Sequence, residues 1–109
     1  MIRTTVAMLV LGATCLGLSG PAQAQAQARD PHLARNLAAT CANCHGTDGQ
    51  ARGESAPLAG MPEQRLLNTL NLYRNGTLPA TIMHQIAKGY TDEQLKLIAG
   101  YFAAQKPRQ

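Results

Sequence analysis

The stretch Cys41-Ala42-Asn43-Cys44-His45 decides how the rest of this sequence is read. Two thiols separated by two residues and followed at once by an imidazole form the attachment pattern of a c-type haem. The chemistry explains the spacing. Thiols a short turn apart can each add to one vinyl group on the same porphyrin edge, and the next residue swings its imidazole beneath the iron. Two other uses of a cysteine pair fit less well. A structural zinc site normally takes four protein ligands, yet no second cysteine pair follows, and His32 and His84 lack finger-like spacing. A thioredoxin-type dithiol expects a strand just before it, whereas residues 33–40, Leu-Ala-Arg-Asn-Leu-Ala-Ala-Thr, read as helix.

Working outward, residues 1–24 read as a secretory signal peptide that is cleaved. Arg3 supplies the positive start, residues 6–18 the apolar run, and Ala22-Gln23-Ala24 the small-residue cleavage site, with the Ala-Gln repeat offering alternatives after Ala26 and Ala28. The apolar run is about 13 residues, short of the roughly 20 that span a bilayer, so no stable membrane insertion is expected after cleavage. Cys15 falls inside this segment, with Thr14 where a lipidated cysteine prefers a smaller neighbour, and is expected to leave with it. Export suits the motif, because covalent haem attachment takes place outside the cytoplasm in bacteria. The expected location is the periplasm.

Residues 25–31 then form a short extension, and residues 32–109 one monohaem domain. What remains after cleavage is about 85 residues, a size at which a purely side-chain core is marginal. A covalently held macrocycle supplies the missing core, which is how one Phe, three Tyr and no Trp can suffice. The net charge of +4 is spread along the chain with no basic run and no interleaved aromatics. That pattern argues against nucleic acid as a partner and allows steering toward an acidic protein.

The domain reads as all-α. A first helix starts near His32 with Asp30 as cap and Pro31 in its first turn, carries Leu33 and Leu37, and leads into the haem motif. Residues 46–53 form a loop by their glycines and small polar residues. A second helix is predicted from Pro62 to Asn75, with an apolar stripe of Leu66, Leu70 and Tyr73 flanked by Leu67. A short helix is expected from about Thr81 to Lys88, closed by Gly89. The last helix is signalled by Thr91-Asp92-Glu93-Gln94, a capping box, and by Leu95, Ile98, Ala99 and Phe102, with Pro107 marking its end. The first and last helices are expected to pack through Leu33, Leu37, Ile98 and Phe102. Ala34, Ala38 and Ala99 would let them approach closely.

What lies across the iron from His45 sets the function. A closed iron passes electrons; an open one allows gas sensing or peroxidase-like chemistry. Two methionines and one histidine are candidates: Met61 at a helix entrance, Met83 beyond a complete helix, and its neighbour His84. A thioether opposite a histidine favours reduced iron and raises the potential, and Met83 has the chain length to reach the far face. Neighbours on a helix point about 100° apart, so only one of Met83 and His84 can serve.

These residues carry a resemblance. Cys41-Ala42-Asn43-Cys44-His45-Gly46, Pro57-Leu58-Ala59-Gly60, Met83 and Tyr101-Phe102-Ala103 resemble the small class I cytochromes c of the cytochrome c4/c553 type. The run from Met83 to Gln94 looks most like the cytochrome subunit of flavocytochrome c sulfide dehydrogenase. The resemblance implies three main helices and shorter ones around one haem c, with thioether links from Cys41 and Cys44 and axial ligands His45 and Met83. It makes Pro57 the proline whose carbonyl accepts a hydrogen bond from the proximal imidazole. It implies an electron carrier rather than an enzyme, with redox proteins as partners: a flavoprotein subunit in one setting, an oxidase or another periplasmic enzyme in the other. Thr77 stands where many relatives place arginine, leaving Arg52, Arg65 and Arg74 as candidates to pair with the haem propionates.

Overall fold

The computed structural model describes residues 30–108; the expected signal peptide, Cys15 and residues 25–29 of the extension lie outside them. Five α-helices follow in order: α1 (Leu33–Ala38), α2 (Ala42–His45), α3 (Glu63–Arg74), α4 (Met83–Lys88) and α5 (Asp92–Ala103). Short 3₁₀ turns at Ala39–Cys41 and Thr47–Gly49 flank α2. Among the described residues there is no strand, as the all-α reading expects.

The first helix begins one residue later than its sequence suggests. The Asp30 carboxylate accepts from the His32 backbone N–H at 2.8 Å, closing a turn over Pro31, and His32 occupies the cap position without a side-chain bond. From Leu33 the chain runs through the 3₁₀ turn into α2 with right-handed helical dihedrals at both junctions. The haem motif is therefore the end of one nearly continuous helical rod. At α5 the capping box forms as read. Gln94 N–H donates to the Thr91 hydroxyl at 3.2 Å, and Thr91 N–H donates to the Gln94 side chain at 2.9 Å. Asp92 and Glu93 in its first turn suit the positive end of the helix dipole.

Packing joins α1 to α5, and α3 to both α4 and α5. Leu66 and Leu70 of α3 and Leu95, Ile98, Ala99 and Phe102 of α5 are buried, with Ala38 and Leu58, in one cluster. Ala99 is fully buried and Ala38 nearly so, consistent with small residues letting α1 and α5 come close. Leu37 packs on the cluster from the side. Leu33 is half-buried and lines an outer groove with Ala34, Leu97 and Tyr101 instead. At this crossing Leu37 and Ala38 reach the buried cluster, and Leu33 lies at its outer edge beside Leu97 and Tyr101 of α5.

The loop after α2 is tied to the C-terminal tail. Gln50 donates through Nε2 to the Lys106 carbonyl at 2.5 Å, and its Oε1 accepts from Arg108 N–H at 2.8 Å. Gly60 N–H donates to the Phe102 carbonyl at 2.9 Å. Asp48, at φ 56°, accepts from the Tyr101 hydroxyl, and that bond pushes the phenol above its ordinary pKa. Replacing Gln50 by leucine removes two exposed bonds between tail and loop. It should lower unfolding free energy by about 1 kcal/mol, read as a lower denaturant midpoint at unchanged slope.

Candidate haem site

Helical geometry puts the motif side chains together. Cys41, Cys44 and His45 stand at i, i+3 and i+4, one face of the rod, and all three line a single cleft of about 540 Å³. The cleft reaches the core: Leu58, Leu66, Leu70, Ile98 and Phe102 line it from below. Both motif cysteines are free thiols, Cys41 half-buried and Cys44 exposed. Burial pushes the Cys41 thiol above its ordinary pKa, with a bond to Thr40 and a backbone bond pulling it down.

Directly after His45 the chain must turn sharply. Gly46 has φ +77°, and a Cβ there would sit 2.3 Å from the Gln50 carbonyl oxygen, so no side chain fits. Three residues on, Gly49 at φ +74° would carry a Cβ within 2.9 Å of both Leu58 and Phe102. Its carbonyl accepts from the Leu58 and Ala59 N–H groups at 2.9 and 3.2 Å. These close approaches fold residues 46–60 back against the motif.

The result is a fixed imidazole. His45 Nδ1 lies 2.7 Å from the Ala56 carbonyl oxygen. A carbonyl only accepts, so Nδ1 carries the proton and Nε2 keeps its lone pair free for a metal. The acceptor is thus the carbonyl of Ala56, not that of Pro57 as the resemblance implied. The two readings share one peptide unit: the oxygen on Ala56 belongs to the amide that the Pro57 nitrogen closes. Proline at 57 biases Ala56 to extended backbone, which helps aim that carbonyl. Pro57 itself is exposed and does not line the cleft.

Met83, the first residue of α4, lines the cleft, together with Ala80, Thr81, Ile82 and Ile86. Met61 lines it too, and both methionines are half-buried and pack on the core. His84 does not line the cleft; its Nδ1 is buried with no hydrogen-bond partner. The 100° offset between neighbours therefore resolves in favour of Met83 facing the cleft. Of the three arginines singled out by sequence, Arg65 reaches the cleft and Arg52 and Arg74 do not. Thr69 and Tyr73, which sequence reasoning did not single out as site residues, line it beside Arg65; their spacing of four along α3 was the available signal.

The donor set fits a c-type haem. Two thiols and a lone imidazole with a fixed tautomer share one wall, thioethers are within the same cleft, and the floor is apolar. Among the described residues no group of three or more His, Cys, Asp or Glu side chains could hold a bare metal ion, and no helix is long and apolar enough to cross a membrane.

Known proteins agree. The family described as Cytochrome c matches residues 32–106. The cytochrome subunit of sulfide dehydrogenase from Chlorobaculum tepidum is 39% identical over 66 residues, covering 61% of this chain and 60% of that protein. The thiosulfate dehydrogenase electron acceptor of Stutzerimonas stutzeri is 40% identical over 67 residues, 58% of this chain and 31% of that one. Among solved structures, cytochrome c4 of Acidithiobacillus ferrooxidans superimposes with a TM-score of 0.59 at 34% identity, covering 65% of this chain and 49% of that one. This chain spans only part of the length of each of these three. With the helical fold, the fixed His45 and the matched span in agreement, the chain belongs to the cytochrome c family and is a class I c-type cytochrome.

Proposed function

We propose that this protein is an exported, periplasmic carrier of single electrons. One haem c would be held by thioether bonds from Cys41 and Cys44, with His45 and Met83 supplying donors to its iron. The observation that carries this reading is the meeting of Cys41, Cys44, His45 and Met83 on one apolar cleft. When bound, haem supplies one-electron chemistry at iron with no substrate bond made or broken.

The chain's own residues do the rest. The Ala56 carbonyl holds the His45 ring in one tautomer and orientation, with Nε2 free to donate to iron. Leu66, Leu70, Ile98 and Phe102 exclude water from the cleft floor. Ile82 and Ile86, 54% and 36% exposed, make its rim apolar and accessible, which suits brief contact with a redox partner. Met83 is favoured over Met61 because Met61 follows closely on residues 55–58, which continue from the loop that holds His45. Met83 stands on a separate helix.

The electron donor we favour is a flavoprotein that oxidises sulfide, on the strength of the Chlorobaculum relative. The second reading, a free acceptor serving another dehydrogenase, is favoured by the Stutzerimonas relative. Purification from the native periplasm tests both. One haem's added mass on the intact chain is expected, together with a co-purifying subunit that carries flavin. A haem-bearing monomer without flavin would support the free acceptor, and a chain without covalent haem would contradict both.

A further inference from the structure

Haem brings propionate carboxylates to whatever cleft receives it, and the ligands described so far leave their charge uncompensated. Among the described residues, Arg65 is the one arginine or lysine lining the cleft. It stands on α3, with Thr69 and Tyr73 one and two turns later on the same face and lining the same cleft. Leu66 and Leu70 beside them are buried. The helix therefore gives an apolar row to the floor and a polar row to the margin.

Arg65 is exposed, and among the described residues it forms no ion pair. The rival cations are placed otherwise. Arg74 pairs with Asp92 and donates to Asn71 at 2.8 Å. Arg52 is exposed in the loop, away from the cleft. Glu54 also lines the cleft, and its charge would repel a carboxylate rather than receive one. We propose that Arg65 is the carboxylate anchor of this cleft, its guanidinium pairing with the propionates of the bound haem. This rests on the haem reading above.

The pairing has a consequence for the potential. A carboxylate beside a guanidinium is held ionised to lower pH. Reduction removes one positive charge from the iron and so raises the proton affinity of a nearby carboxylate. Where that carboxylate titrates near neutrality, each electron gained draws a fraction of a proton from solvent, and the potential falls as pH rises through that window. Arg65 keeps the titration below the window. Its positive charge also favours the reduced, less positive iron.

The test is a redox titration of the haem-loaded protein from about pH 5 to pH 9, for the wild type and for Arg65→Gln, Arg65→Lys and Arg52→Gln. The wild-type potential should be nearly flat. Arg65→Gln should lie lower at alkaline pH, with its carboxyl titration moved up by about one pH unit. Arg65→Lys should keep most of the wild-type profile, and Arg52→Gln all of it. An Arg65→Gln profile that superimposes on the wild type overturns the anchor, as does the same shift appearing in Arg52→Gln. Intact mass separates the two readings. Haem-loaded variants with coincident profiles defeat the anchor alone, whereas a wild-type chain without haem defeats the reading beneath it.

Discussion

Replacing both Cys41 and Cys44 with alanine should abolish the cooperative unfolding transition, rather than merely lower its temperature. The cleft of about 540 Å³ is walled by Leu58, Leu66, Leu70, Ile98 and Phe102, the residues that also make the core. Without the group that would cover them these walls are wet, at about 25 cal/mol per Å² of apolar surface left exposed. A domain of this size has a total stability of about 5–15 kcal/mol, so a loss of several kcal/mol removes much of it. A thermal melt followed by circular dichroism reads the result directly. A double variant that still unfolds in one sharp transition near the wild-type temperature would mean that the side chains alone sustain the fold. The single variants keep one thioether and should fall between.

Met83→Ala is the second large effect. Under the proposed ligation haem would stay attached, because Cys41, Cys44 and His45 are untouched, but the iron would lose the ligand that favours its reduced state. The midpoint potential should fall, and the ferrous protein should bind carbon monoxide rapidly where the wild type does so slowly. Stability should fall by about 2 kcal/mol, the lower end for truncating methionine, since Met83 is only half-buried. Met61→Ala makes the informative comparison. It truncates a half-buried methionine lining the same cleft and should cost similar stability, with potential and carbon monoxide binding unchanged.

Much of this was legible in the sequence because the signals were local. Thr91 and Gln94 form the capping box their spacing announces, and the stripe of Leu66 and Leu70 is buried as its period requires. Cys41, Cys44 and His45 share a face because three and four residues make one helical turn. Direction and long-range pairing were not legible. The acceptor for His45 is one residue from the one the resemblance named, because proline marks a peptide unit whose oxygen belongs to the residue before it. Leu33 shares a stripe with Leu37 yet lines the outer groove; the stripe does not say which of its members reaches the buried cluster. Arg65 and Arg74 look alike in sequence. Only the fold brings Asp92, 18 positions away, to Arg74 and leaves Arg65 at the cleft.

An iron closed by His45 and Met83, as we propose, would pass electrons rather than bind gases. The most direct measurement is the absorption spectrum of the ferric, haem-loaded protein in the region of the weak long-wavelength sulfur-to-iron charge-transfer band. The wild type and Met61→Ala should show that band, and Met83→Ala should lack it while retaining covalent haem. A band that survives Met83→Ala but disappears in Met61→Ala, or a wild-type protein with no band at all, would contradict the account.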